Sequence, residues 1–237
     1  MAEVIEESQL QFHCPFRLVA IGPSGSGKTT FCRRMIKHQK YLFDRPADRI
    51  VVFYTEMNEQ VKKISKLDKV EVIKDFNQDI IDDWVVEDGH MLVIIDDHLM
   101  VKSAQESFAE LWAIKSRAKF ISCALLTQSM SPHDGASNKW GKIVLLNSTI
   151  TILFCNKRDE SIMRQIGRTA FSGRFKYFVS AYREAVCDKT KIKKGKGNYK
   201  YLAIFSDPTT SRNCELRARI FFRNEHTILF YPRKWTF

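Results

Sequence analysis

Eight consecutive residues, Gly22-Pro23-Ser24-Gly25-Ser26-Gly27-Lys28-Thr29, constrain this chain more than any other feature, because they match G-x-x-x-x-G-K-[ST] in full. The short apolar run Phe16 to Ile21 leads into them. The segment after them, Thr29 to Leu42, sets Phe31, Met35, Gln39 and Leu42 along one helical stripe. Strand, glycine loop and helix in that order turn successive backbone N–H groups inward around a phosphate, and the helix directs its N-terminal dipole at the same point. In such a loop Lys28 reaches the β- and γ-phosphates and the Thr29 hydroxyl ligates Mg²⁺. Thr30 adds a hydroxyl with no assigned role.

Strands and helices alternate along the rest of the chain. Ile50 to Thr55 is a continuous β-branched run, and Met91 to Asp97 an apolar run capped by two acids, as strands buried on both faces should be. Short helices and a strand near Val70 to Ile73 are expected between them. A helix is expected over 103–119, then a strand over 120–127, a turn-rich exposed loop over 129–141 and a strand over 149–154. Helices over 159–167 and 174–187 precede strands at 201–205, 215–222 and 227–231. This pattern predicts an α/β fold with a mostly parallel sheet flanked by helices, the last three strands adding antiparallel edges. Residues 1–15 read as an acidic lead-in and 16–237 as one domain.

A phosphate loop needs an acid at the tip of a nearby strand to hold the water shell of Mg²⁺. Asp96 meets that need, 68 residues after Lys28 and preceded by four branched apolar residues. The adjacent Asp97 is placed to polarise a water for attack on the γ-phosphate, or to cap the helix that follows. The next strand ends in Leu125-Leu126-Thr127-Gln128. If that strand inserts between the loop strand and the Asp96 strand, the Gln128 amide lies beside the γ-phosphate.

With 237 residues, 44% apolar and 27% charged, the chain suits one sizeable globular domain. No apolar run approaches the ~20 residues of a membrane helix, and the polar N-terminus does not resemble a secretory signal. Six cysteines, none within four residues of another, offer no zinc knuckle or thioredoxin-type pair, which suggests a reducing, intracellular setting. The six histidines show no metal spacing. Residues 1–138 carry 17 basic and 20 acidic side chains, whereas 139–237 carry 21 and 7. A basic last part suits a polyanion contacted from one side. Within it, Lys189, Lys191, Lys193, Lys194, Lys196 and Lys200 form a Gly-punctuated loop able to follow a phosphate backbone without reading bases. A nuclear import signal or a solvated loop are the plainer readings of those lysines.

Two other nucleotide chemistries are legible. Asn156-Lys157-Arg158-Asp159 reads as N-K-x-D, the guanine-selecting motif of GTPases, but no D-x-x-G follows the Asp96 strand. A small-molecule kinase would need a lid of clustered arginines, which the lysine-rich loop does not provide. A nucleotide-dependent DNA-binding protein without hydrolysis would need neither acid of the Asp96-Asp97 pair to act as a base.

The set GPSGSGKTTF, LVIIDDHLM, ALLTQSMSP, LNSTITILFCNKRDE and DPTTSRNCELRARIFF resembles the viral and Polinton-type DNA-packaging ATPases of the FtsK–HerA superfamily, poxvirus-like members included, from about Phe16 to about Tyr231. That resemblance implies a P-loop NTPase fold of the division with an additional strand and a catalytic acid. Lys28 and Thr29 are then Walker A, Asp96 and Asp97 Walker B, and Gln128 the polar sensor. The usual second acid in the family is Glu, so Asp97 is a departure. The resemblance also implies ATP and Mg²⁺ as cofactors and a homo-oligomeric ring driving double-stranded DNA into a capsid or through its portal. Its setting would be a host nucleus, a virus factory or the virion. An arginine from a neighbouring subunit would complete the site, with Arg117, Arg158, Arg164 and Arg168 as candidates.

Overall fold

A computed structural model of the chain describes residues 10–96, 102–128, 139–156, 160–187, 201–220 and 227–231. The phosphate loop joins β1 (Arg17–Ile21) to α1 (Lys28–Leu42). Then come β2 (Arg49–Tyr54), α2 (Glu59–Ile64), β3 (Val70–Lys74), α3 (Asp79–Asp82) and β4 (Met91–Asp96). After β4 follow α4 (Lys102–Glu110), a π-helical segment (Leu111–Lys115), α5 (Ser116–Ala118) and β5 (Ile121–Thr127). The chain closes with α6 (Lys139–Asn147), β6 (Ile150–Phe154), α7 (Ser161–Ala170), α8 (Phe175–Cys187), β7 (Tyr201–Phe205), β8 (Leu216–Ala218) and β9 (Ile228–Leu229).

Among the described residues the strands form one nine-stranded sheet in the order β3-β2-β4-β5-β1-β6-β7-β8-β9. The first six run parallel, and β7, β8 and β9 are added antiparallel. The fold is therefore α/β, with the P-loop strand order that has one extra strand. β5 lies between β1 and β4, pairing Ile21 with Thr127 on one side and Asp96 with Leu126 on the other.

Strand alternation divides the core into two layers. Val19, Ile21, Val51, Phe53, Val93 and Ile95 point to the face covered by α3, α4, the π segment, α6, α7 and α8. Leu18, Ala20, Ile50, Val52, Leu92 and Ile94 point to the other face, covered by α1 and α2. Phe12 belongs to this second layer, 1% exposed and in ring contact with Phe16, Phe43 and Phe205. Phe12 is thus part of the core, and burying one Phe contributes about 1.5–3 kcal/mol.

Two expectations are corrected, and a third, the helix over 103–119, holds with a change of register inside it. Residues 139–141 lie in α6 rather than in an exposed loop, and the rest of that loop falls outside the described residues. Within the helix over 103–119 the Ser116 N–H reaches back five residues to the Leu111 carbonyl. There the Trp112 carbonyl accepts from Arg17 Nη1 at 3.5 Å, and the indole N–H donates to Ser148 Oγ at 3.1 Å. Finally, β8 stops at Ala218 because Arg219 adopts a left-handed conformation, φ 55°, where the expected strand would continue.

β3 is an edge strand with Glu71 and Lys74 exposed and Val70, Val72 and Ile73 half-buried against the core, and the residues just before and after it, Lys69 and Asp75, have φ of 60° and 61°. Of the cysteines, Cys14, Cys32, Cys123, Cys155 and Cys214 are free thiols. Cys123 is buried, as its apolar run suggests, while Cys155 is half-buried.

Candidate functional site

The site forms at the carboxyl ends of β4, β5, β1 and β6, where parallel strands release their chains together. Gly22 leaves β1 with its N–H bonded to the Thr127 carbonyl at 3.1 Å. Gly25 and Gly27 take φ of 74° and 102°, values that glycine adopts without strain. α1 starts at Lys28, and the Phe31 N–H closes its first turn onto the Gly27 carbonyl at 2.8 Å. Its first N–H groups therefore open toward the loop.

Lys28 is 6% exposed, and its ammonium donates to the carbonyls of Gly22 at 2.8 Å and Pro23 at 3.1 Å. The side chain is thus folded over the loop. Thr29 Oγ1 donates to Asp96 Oδ2 at 3.1 Å, which joins the loop to the tip of β4. Beneath them the fully buried Cys32 thiol has its pKa held well above the ordinary range, by burial first and by the Asp96 charge second. Gln128 follows β5 directly, so the Gly22–Thr127 bond sets its backbone next to the loop. Ser24 and Gly25 are exposed at the tip, with Pro23, Ser26, Gly27 and Thr30 half-buried. Ser26 Oγ is buried and makes no hydrogen bond among the described residues.

The oxygens of Thr29 and Asp96 suit a hard divalent cation, which takes oxygen ligands. A side chain on Gly22 would meet Phe154 Cβ at 2.6 Å and Ser26 Oγ at 2.8 Å, so the loop fits only with glycine at that position. Phe154 is the wall that residue-by-residue reading missed. Its backbone is fixed from behind, Tyr182 Oη donating to the Phe154 carbonyl at 3.3 Å and accepting from the Asn156 N–H at 3.4 Å. The sequence signal for this wall was the glycine itself.

Not all expected residues converge. Arg117 sits in the last turn of α5, before β5 begins, and so lies at the amino ends of the parallel strands. Seven strand residues, roughly 23 Å, separate that end from the loop. Arg117 acts electrostatically on Arg17 and Asp207 there and cannot serve its own chain's loop. Arg164 pairs with Glu160 at 3.1 Å, and Arg168 lies over the Phe175 ring at 5.8 Å. Asp97, Arg158 and the lysines from Lys189 to Lys200 lie outside the described residues. So do Lys157 and Asp159, which leaves only Asn156 of the guanine-type motif in place, just past β6. Among the described residues no group of three or more His, Cys, Asp or Glu side chains could hold a metal by itself. No helix there is long and apolar enough to cross a membrane.

No protein-family model matches the chain, and no curated protein is similar to it in sequence. Among solved structures it is similar to ATPases 2 and 3 of EccC from Thermomonospora curvata, at 12% identity over 62% of this chain and 31% of that one, TM-score 0.44. ATPases 2 and 3 of EssC from Geobacillus thermodenitrificans give 11% identity over 64% and 34%, TM-score 0.47. The genome packaging NTPase B204 from Sulfolobus turreted icosahedral virus 2, solved in complex with ATP-gammaS, gives 15% identity over 81% and 92%, TM-score 0.43. The chain thus spans about a third of the first two proteins' length.

Proposed function

We propose that the chain is a Mg²⁺-dependent ATP hydrolase that acts as a homo-oligomeric motor on double-stranded DNA, packaging a viral or virus-like genome. The observation that carries the hydrolase reading is the 3.1 Å hydrogen bond from Thr29 Oγ1 to Asp96 Oδ2 at the mouth of the glycine loop. It brings together the two oxygens that a nucleotide-bound Mg²⁺ requires, from residues 67 apart in sequence. When bound, the cation neutralises charge on the β- and γ-phosphate oxygens.

The chain's own residues supply the rest. Lys28 turns from the Gly22 and Pro23 carbonyls toward the phosphates, and the N–H groups at the start of α1 hold the phosphate oxygens. Asp97 accepts a proton from the attacking water. The Gln128 amide orients that water or the γ-phosphate. Packaging rests on the resemblance of the motifs to FtsK–HerA packaging ATPases, together with the strongly basic region after residue 138. In that reading Lys189, Lys191, Lys193, Lys194, Lys196 and Lys200 contact the DNA backbone, and an arginine from the next subunit, Arg117 among the candidates, completes the site. The partners are duplex DNA and a capsid or portal protein, inside the host cell.

Steady-state phosphate release from ATP and from GTP, each with and without long duplex DNA, tests this. The expected result is ATP turnover stimulated by duplex and lost in Asp97→Asn. A preference for GTP without stimulation by DNA overturns it and makes Asn156 and Asp159 the base-recognition pair.

A further inference from the structure

The near-neutral charge of the first part of the chain conceals two opposed surfaces. α1 contains no acid at all, and its bases include Arg33, Arg34, Lys37 and Lys40. α2 and the turn after it add Lys62, Lys63, Lys66 and Lys69 against Glu59 and Asp68. Both helices pack on the same side of the sheet, through Phe31, Met35, Ile36 and Ile64. Lys37, Lys40, Lys63, Lys66 and Lys69 are exposed and have no acid within ion-pair distance among the described residues.

The stretch 75–88 is the reverse: six acids and no base. It packs on the opposite side of the sheet, through Ile81 and Trp84. Asp82 is neutralised by Lys115 at 2.6 Å, but Asp75, Asp79, Asp83, Glu87 and Asp88 are exposed and make no ion pair there. Each wall also exposes an apolar surface: Val85 and Val86, 49% and 48% exposed, within the acidic stretch, and Tyr41, 56%, in the last turn of α1.

We infer that the basic α1–α2 wall of one copy docks against the acidic 75–88 wall of the next. Unpaired like charges gathered on one face destabilise a lone molecule and are relieved by an opposite face. The two walls differ and lie on opposite sides of the sheet, so the contact is heterologous, head to tail, and forms a ring where the rotation between copies closes. A nucleic-acid surface would account for the lysines but leave the acidic wall unexplained. The inference deepens the ring of the proposed function and rests on that reading for its purpose, though not for its observations.

Reciprocal charge reversal tests it on the full chain. The probes are Lys63→Glu/Lys66→Glu and Asp83→Lys/Glu87→Lys, studied by sedimentation velocity with wild type, alone and mixed one to one. Wild type should self-associate and come apart between about 0.1 M and about 1 M salt, where the screening length falls from about 10 Å to about 3 Å. Each variant alone should bind itself at least about tenfold more weakly, since like-charged faces then meet. The mixture should regain association, because each variant then faces opposite charge on both walls; that rescue also shows both variants to be folded. A wild type that stays monomeric, variants that assemble like wild type, or a mixture no larger than its components overturns the inference. So does a Lys63→Glu/Lys66→Glu chain that assembles normally but loses retention of duplex DNA, which would make the wall a nucleic-acid surface. Phosphate release in the same samples separates the two readings: rescue without ATP turnover sinks the hydrolase and keeps the interface, and turnover without rescue does the opposite.

Discussion

Gly22 and Phe154 stand so close that a Cβ on the glycine would lie 2.6 Å from the Cβ of the phenylalanine. Both contacting atoms belong to or adjoin the backbone of neighbouring parallel strands, β1 and β6, so neither can turn away as a long side chain would. Gly22→Ala should therefore push the loop off β6. Overpacking of this kind costs about 1–3 kcal/mol. The expected outcome is a lower unfolding midpoint in urea together with weaker binding of a fluorescent ATP analogue. An unchanged midpoint would show that the strands can part freely.

Thr29 and Lys28 have roles that substitution can separate. Thr29→Val keeps the shape and removes the hydroxyl, and a lost hydrogen bond to a charged group costs about 1.5–3 kcal/mol. The Mg²⁺ concentration for half-maximal phosphate release should rise roughly tenfold to a hundredfold. Lys28→Ala should instead lower turnover at saturating Mg²⁺, by at least about a hundredfold, as for other groups that stabilise transition-state charge. Equal Mg²⁺ requirements in wild type and Thr29→Val would remove the hydroxyl from the metal site.

His90 lies buried at the amino end of β4, far from the loop. Its partners assign a neutral tautomer: Nδ1–H donates to the Arg45 carbonyl at 2.8 Å, and Nε2 accepts from Ser122 Oγ at 2.8 Å. Burial lowers its pKa below the ordinary value, opposed in part by the carbonyls of Arg45 and Pro46. A base depressed in the folded state contributes stability that is present above its unfolded pKa of about 6.5 and is lost as pH falls below it. The unfolding temperature should drop between about pH 6.5 and pH 5, and His90→Gln should flatten that part of the profile. A slope unaltered by the substitution would assign the acid sensitivity to carboxylates.

Arg217 is 1% exposed and lies over the Phe205 ring at 3.7 Å. Its fork donates to the carbonyls of Cys214 at 2.7 Å and Leu10 at 2.8 Å, which fixes the start of the described chain against β8. Burial lowers its pKa to about 10. Lysine has no planar fork to repeat these contacts. Arg217→Lys should destabilise the fold by about 1.5–3 kcal/mol in urea unfolding, and should speed proteolysis ahead of residue 12.

The glycine loop was legible because its chemistry is local: spacing, strand and helix all sit between Phe16 and Leu42. The buried strands β1, β2, β4, β5 and β6 were legible for a similar reason, as uninterrupted apolar runs. α6 was not, since Gly141 falls inside it and the apolar run Ile143 to Leu146 lacks a helical stripe. The π segment was not legible either: Trp112 within it bonds Arg17 and Ser148 across long sequence distances, contacts that no local pattern encodes. The charged walls escaped notice for a third reason: bases and acids alternate in blocks along residues 28–88, so a running total cancels what the sheet then sorts onto two sides.

The ends of β3 carry one more consequence. An edge strand offers unpaired backbone groups to any chain that can lie beside it, and long flat edges invite fibrils. Here a five-residue strand is closed off by left-handed residues at both ends, Lys69 and Asp75, with Glu71 and Lys74 along it. A foreign strand would find too short a template, bent away at either tip and charged between. Backbone pairing along this side of the sheet is thereby discouraged, and at the other side the last strand, β9, spans only two residues.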